Sequence, residues 1–347
     1  MGGTRNGNGH GWTTRVGAVH GAARIDSAGR GLRGGIDLGG TKIQVVVVDV
    51  EHNVLGQARR PTPTQGGPAD VAAAMAEAMR EAAAAAQTQT ADLTHVGVGS
   101  PGIVDAAAGT VSSAKNLPGW GGMYPLGKQL RKRLDCAVAL GNDVQVATDA
   151  EAALGAGRDA DSMLGVFWGT GVGGGIVLGG KAWVGRGGAG EIGHVCVKVD
   201  GALCPCGRRG CVEAYAGRNA LERHARALHE KGEPTELFKI ARKRGRERLT
   251  SGIWAAALER GDPLATKLID RAVTMLGAGV ASCDNVLDVE IIILGGGLGV
   301  RLGQEYADRI ARAMAPHLFF SDRPPPVVVA ALGDLGGAIG ASLLTPA

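Results

Sequence analysis

One pattern occurs twice in the chain. Gly35 to Asp49 (GIDLGGTKIQVVVVD) reads as an apolar strand, a tight glycine turn carrying a threonine, and a second apolar strand. Met163 to Leu178 (MLGVFWGTGVGGGIVL) follows the same plan. An internal echo of a whole supersecondary unit constrains the fold strongly, because each copy needs its own sheet to bury its apolar residues. Two α/β lobes follow, each presenting a glycine turn on a β-hairpin. The 347 residues suffice for two such cores. Aromatic residues are only 3% of the chain, so those cores must be built from Ala, Val, Leu and Ile.

Further elements fit the two-lobe plan. Val54 to Arg60 reads as a strand and Ala69 to Ala86 as a helix, with Pro68 where a helix can begin. His95 to Ser100 and Ala137 to Leu140 read as strands, and Leu126 to Leu134 and Val144 to Gly155 as helices. Long helices are expected from Ala220 and over Pro263 to Leu287. Strands follow at Val289 to Leu294 and Val327 to Leu332, with a closing helix from Asp334. Residues 1–33 lack apolar periodicity and read as a flexible tail, or an overextended start of translation, with too little apolar material for a DNA-binding winged helix. The lobes are expected at 34–143 and 144–333, with helix 334–347 returning to the first.

The glycine turns suit phosphate. Asp37, Leu38, Gly39, Gly40, Thr41 and Lys42 place a carboxylate, bare backbone amides, a hydroxyl and an ammonium within six positions. Asp37 can hold Mg²⁺ directly or through water. Gly169, Thr170 and Gly171 offer a second turn of the kind, so a nucleotide can be clamped from both sides. Gly295, Gly296 and Gly297 form a third close approach after a buried strand, either packing strand to helix or carrying an adenosine. There is no P-loop pattern.

The cysteines are unevenly placed. Cys136, Cys196 and Cys283 stand alone in apolar contexts and read as small core residues. Cys204, Cys206 and Cys211 fall within eight positions, and His194 lies just upstream. Three thiols and an imidazole are the ligand set of a closed tetrahedral zinc site, structural because no position is left for water. The formal charge of +4 is mild, and the basic run Lys239 to Arg248 reads as a solvated helix face. No apolar run spans a bilayer and the N-terminus has no signal-peptide core, so a cytoplasmic protein without nucleic-acid or membrane partners is expected.

These motifs resemble those of the sugar-kinase, actin and Hsp70 superfamily. The stretch Glu191-Ile-Gly-His194 with Cys204-Pro-Cys206 and Cys211-Val-Glu213 narrows the resemblance to the ROK family, from about Gly34 to the C-terminus. It implies two ribonuclease-H-like lobes around a cleft, the actin-like ATPase fold. It implies an ATP-dependent hexose kinase that uses Mg²⁺ and structural Zn²⁺ and assembles as a dimer or tetramer. The resemblance makes Asp143 the catalytic base. It assigns Asn142, Glu191, His194 and Glu213 to the sugar, with Gly102 and Asn116 as neighbours. His194 would hold zinc through one ring nitrogen and face the sugar with the other. Glucose, phosphorylated on the 6-hydroxyl, is the expected substrate. N-acetylmannosamine and N-acetylglucosamine are the alternatives, and a non-catalytic sugar sensor or a ROK-type transcriptional regulator is the reading from another class. Read by itself, Asn142-Asp143 is by default a helix N-cap. The chain continues Val144-Gln145 where the family commonly has another Asn, a change expected to reshape the pocket edge.

Overall fold

The computed structural model describes residues 31–114 and 117–346. Its twelve strands, numbered in chain order, form two five-stranded sheets and one small hairpin. The first sheet runs β3 (Val54–Pro61), β2 (Lys42–Val48), β1 (Arg33–Leu38), β4 (His95–Ser100), β7 (Val138–Asn142). The hairpin is β5 (Ile103–Asp105) with β6 (Thr110–Ser112). The second sheet runs β10 (Lys181–Ala182), β9 (Val172–Leu178), β8 (Met163–Trp168), β11 (Ile291–Gly295), β12 (Val327–Val329). In each sheet the first three strands in sequence are antiparallel neighbours, and the next two add in parallel beside the first. The doubled sequence pattern is therefore a doubled topology, and the ribonuclease-H-like expectation holds.

Ten helices complete the described chain. The first sheet's helices are α1 (Pro68–Ala85) and α2 (Leu126–Leu134). Pro68 sits in the first turn of α1, and Val71, Met75, Met79 and Ala82 make its buried stripe. Then come α3 (Asp143–Leu154), α4 (Glu213–Ala216), α5 (Arg218–Glu230), α6 (Leu237–Lys243) and α7 (Ser251–Glu259). The longest is α8 (Pro263–Leu287), capped by Asp262, whose Oδ1 accepts the Ala265 N–H at 2.8 Å. It packs on α9 (Gly296–Met314), and α10 (Gly336–Ala341) closes the fold. None of the helices is long and apolar enough to cross a membrane.

The structure moves several expected boundaries. Order begins before Gly34: Leu32 is buried in the first core and Arg33 already pairs with Val48. Residues 1–30 of the expected tail lie outside the described residues. The basic run is helical only to Lys243, because Gly245 turns the chain at φ +60°. Strand β12 stops at Val329 rather than Leu332, since the Ala331 and Leu332 amides turn away to the Glu151 carboxylate. The isolated cysteines are core residues only in part. Cys136 and Cys283 are half-buried and pack against the first and second cores, and Cys196 is exposed at the rim of the cysteine loop, its backbone pairing with that of Cys211.

Helix α10 returns from the end of the chain to lie on the first sheet and against α3. Gly35 of β1 and Gly97 of β4 make room for it, because a Cβ at either would overlap the carbonyl oxygen of Ala338 or Ala341. Backbone cannot step aside as a side chain can. Gly97→Ala should therefore destabilise the fold by about 3 kcal/mol. Gly121→Ala, at an exposed site with open space around it, is the control and should shift stability by no more than about 0.5 kcal/mol. Thermal or urea unfolding of the two variants reads the difference.

Candidate functional site

A cleft of about 640 Å³ brings together Asp37, Lys42, Asp143, Gly296 and Gly297, all expected at the site from sequence. Each arrives from an element end. Asp37 lies near the end of β1 and Lys42 opens β2, across the first glycine turn. Asp143 is the first residue of α3, and Gly296 and Gly297 are the first two of α9. Uncommitted N–H groups at a helix start favour an anion. Gly296 is fixed as glycine by its φ of +78° and by the backbone of Trp168, which a Cβ would meet at 2.6 Å.

The turns themselves are tight. The Gly39 N–H donates to the Lys42 carbonyl at 2.9 Å, and the Gly169 N–H to the Gly171 carbonyl at 3.0 Å. The second turn rests on the start of α5. Arg218 and Asn219 donate their amides to the Gly169 and Thr170 carbonyls, each at 3.1 Å. The Arg218 guanidinium also donates to the Thr170 hydroxyl at 2.9 Å. Gly169 lies next to Gly297, within 3.8 Å of where its Cβ would stand. Gly39, Gly40, Thr41, Gly169, Thr170, Gly171 and Gly295 are outside the cleft wall itself. Gly295 instead ends β11 and packs on Phe167.

The cleft concentrates negative charge. Burial raises the Asp37 carboxyl above its ordinary range; Lys42 opposes this and Asp334 adds to it. Burial likewise pushes Asp143 up to about 7, helped by the charge of Asp37 and, more weakly, Glu191. Asp334, at 3.9 Å from the Lys42 ammonium, is a third carboxylate on the wall. Three carboxylates around one ammonium and the Arg301 guanidinium suit a divalent cation, so the group fits at Asp37.

Asn142 is an N-cap, as the simpler reading held. Its Oδ1 accepts the Val144 and Gln145 amides at 3.0 and 3.1 Å, leaving its Nδ2 to serve a ligand. Of Val144 and Gln145, expected to reshape the pocket edge, Val144 lines the cleft and Gln145 does not. Gln145 is buried and exchanges two hydrogen bonds with the backbone of Ile176 in β9, at 3.0 and 3.1 Å, docking α3 on the second sheet.

The side chains of His194, Cys204, Cys206 and Cys211 form one cluster, their ligand atoms all within 4.8 Å of one another. His194 Nδ1 is 3.7 Å from Cys204 Sγ, and Cys206 Sγ is 3.7 Å from Cys211 Sγ. A tetrahedron with Zn–S bonds of ~2.3 Å has S···S edges of about 3.8 Å, so zinc fits. Burial opposes ionisation of Cys206, yet the Arg208 backbone and side chain and the neighbouring thiols bring it down to about 6. Burial, with the neighbouring thiols, holds Cys204 up at about 12. The other ring nitrogen of His194, Nε2, lies 3.8 Å from the exposed Glu191 carboxylate. Glu213 is engaged elsewhere, its Oε2 accepting the Val172 amide at 2.9 Å beside Gly171. Gly102 takes φ +89° and packs on the Ser112 carbonyl, the turn reading. Asn116 lies outside the described residues.

Sequence reasoning missed Arg301, Phe167 and the segment Gly333 to Gly337, all on or beside the cleft. The signal for the last was present: Asp334-Leu-Gly-Gly337 repeats Asp37-Leu-Gly-Gly40 letter for letter. Gly337 packs against Asp37, where a Cβ would meet the carboxylate carbon at 2.9 Å.

Known proteins match this architecture along nearly its whole length. The ROK family model covers residues 33–347. A glucokinase of Thermotoga maritima is 36% identical over 265 residues, 76% of this chain and 81% of the relative. The N-acetylgalactosamine kinase AgaK of a Shewanella species is 33% identical over 319 residues, 89% of this chain and 95% of the relative. The crystal structure of a ROK family glucokinase from Streptomyces griseus in complex with glucose and AMPPNP superposes with a TM-score of 0.77. It is 32% identical and covers 90% of this chain and 98% of its own. With its two matching sheets, its cleft and its histidine–cysteine cluster, the chain belongs to the ROK family.

Proposed function

We propose that the chain is a hexose kinase that transfers the γ-phosphoryl group of ATP to the 6-hydroxyl of glucose. The observation that carries the reading is Asp143. It starts a helix within the same cleft as the nucleotide-type groups Asp37, Lys42, Gly296 and Gly297, and within electrostatic reach of Glu191. The relatives support it, since a glucokinase and an acetamido-sugar kinase both align over most of the chain.

The chemistry follows from these positions. The sugar lies between Asn142, Glu191 and His194, whose polar atoms address several hydroxyls of a pyranose. Glu213, at the start of α4, keeps its Oε1 for the sugar while its Oε2 accepts the Val172 amide. Asp143 accepts the proton of the attacking 6-hydroxyl. An ordinary aspartate is a weak base at neutral pH, but burial raises this one to about 7, near the optimum for a general base. Lys42 and the amides at the start of α9 and of the two glycine turns hold the phosphates. Asp37 would hold Mg²⁺, which offsets phosphate charge. His194, Cys204, Cys206 and Cys211 would hold Zn²⁺, which fixes the loop and the tautomer that turns Nε2 toward the sugar. The lobes 34–143 and 144–333, with α10 of the expected 334–347 segment on the first, would close on the cleft and keep water out. ATP supply and the reduced cysteine ligands both suit a cytoplasmic setting.

Three outcomes test this reading. The first concerns Asp143. Asp143→Asn should lower turnover by about two orders of magnitude or more. The same change should stabilise the ligand-free protein above neutral pH. The native carboxyl keeps a proton between pH 3.8 and about 7 that the unfolded chain has released, so wild-type stability falls as pH rises through that window. A shift of about three units corresponds to on the order of 4 kcal/mol, which the variant recovers at pH 8 and not at pH 4. Steady-state rates and melting curves at both pH values read it.

The second concerns zinc. Purified protein should contain one zinc per chain by elemental analysis, and Cys206→Ser should lose it. Hexose affinity should then fall by about tenfold or more, with ATP affinity nearly unchanged.

The third concerns the substrate. Specificity constants for glucose, mannose, N-acetylglucosamine, N-acetylmannosamine and N-acetylgalactosamine, measured side by side, should be highest for glucose. A higher value for an acetamido sugar would favour the second reading, supported by the AgaK alignment, in which the space near carbon 2 accepts an acetamido group.

A further inference from the structure

One buried carboxylate outside the cleft has no part in the mechanism above. Glu151 lies near the last turn of α3 and is 2% exposed. Its Oε1 accepts the Leu332 N–H at 2.9 Å, and its Oε2 accepts the Ala331 N–H at 3.0 Å and the Ala156 N–H at 2.9 Å. Gly155 leaves the room it needs, because a Cβ there would overlap the carboxylate. An ionised carboxylate is an acceptor only, and here three backbone donors converge on it, two of them from residues 180 and 181 positions away.

The two ends of this arrangement matter. Asp143 starts the same helix eight residues earlier, about 12 Å along the axis. On the other side, residues 331–332 run straight into Gly333 and Asp334, which line the cleft, and on to Gly337, which packs against Asp37. Asp334 pairs with Lys42. Glu151 therefore ties the helix that carries Asp143 to the segment that walls the nucleotide side. No other side-chain hydrogen bond between α3 and this segment is present among the described residues.

We propose that Glu151 is a positioning residue for the nucleotide: it fixes residues 331–337, and through them Asp334, Lys42 and Asp37, at a set distance from Asp143. Of the sugar groups, Glu191, His194 and Glu213 lie on other segments, and Asn142 is held at the far end of α3 by its own cap bonds to Val144 and Gln145. The inference rests on the kinase reading with Asp143 as base, but its test reads nucleotide binding directly.

Glu151→Gln keeps the size of the side chain and sets an N–H₂ group against backbone N–H donors. The affinity for Mg²⁺·AMPPNP, by titration calorimetry, should fall about tenfold or more, and the KM for ATP should rise alongside. The dissociation constant for glucose should stay within about twofold. Hydrogen exchange at residues 331–334 should accelerate, while β8 keeps its protection. Equal weakening of both ligands, weakening of the sugar alone, or unchanged nucleotide affinity would each overturn the proposal. Should the variant not fold, the wild type still decides. Slow exchange of the Ala331 and Leu332 amides, comparable to β12, supports the strut, and fast exchange sinks it. If wild-type protein binds AMPPNP yet turns over no hexose, the kinase reading fails while the Glu151 result stands.

Discussion

Helix α3 is held at three points, and the site depends on all of them. Asn142 caps its start, Gln145 fastens its first turn to β9 of the second sheet, and Glu151 fastens its last turns to residues 331–332. Helix α10 packs along it and reaches β1 and β4 of the first sheet through the space left by Gly35 and Gly97. A single helix thus touches both sheets. Because Asp143 is its first residue, the position of one carboxylate is fixed relative to both halves of the molecule.

That placement has an electrostatic consequence. Asp37 and Asp143 approach each other in a buried cleft, and Asp334 adds a third carboxylate. Asp37 raises the proton affinity of Asp143 and Asp334 raises that of Asp37, on top of burial, so without ligands the arrangement costs stability at neutral pH. A cation bound to phosphate would relieve the repulsion, so the same charges that destabilise the empty cleft favour its loading. Strain of this kind is characteristic of sites shaped for binding rather than for stability.

The cysteine loop works by a different route. Its four ligand atoms draw together without a large core behind them, in a small cluster of Cys204, Cys211, Ala214 and Tyr215. A metal held there would do what apolar burial does elsewhere, closing a segment too short to bury itself. His194 belongs to both worlds, with Nδ1 toward the cysteines and Nε2 toward Glu191.

Much of this was legible in the sequence, for local reasons. The doubled strand–turn–strand pattern determined two sheets, because a continuous apolar strand can satisfy its backbone only against neighbouring strands. The spacing of His194, Cys204, Cys206 and Cys211 determined the cluster, because a tetrahedral ligand set needs little chain between its members. Caps and prolines set helix starts, as at Pro68 and Asp262. What only the tertiary structure decided involves partners far apart in the chain. The tilt of Gln145 toward Ile176, the grip of Glu151 on residues 331–332 and the contact of Gly337 with Asp37 carry no local period or spacing. The basicity of Asp143 belongs with them. A sequence shows an aspartate of ordinary acidity, and only the packing that removes water and brings Asp37 alongside raises it to about 7.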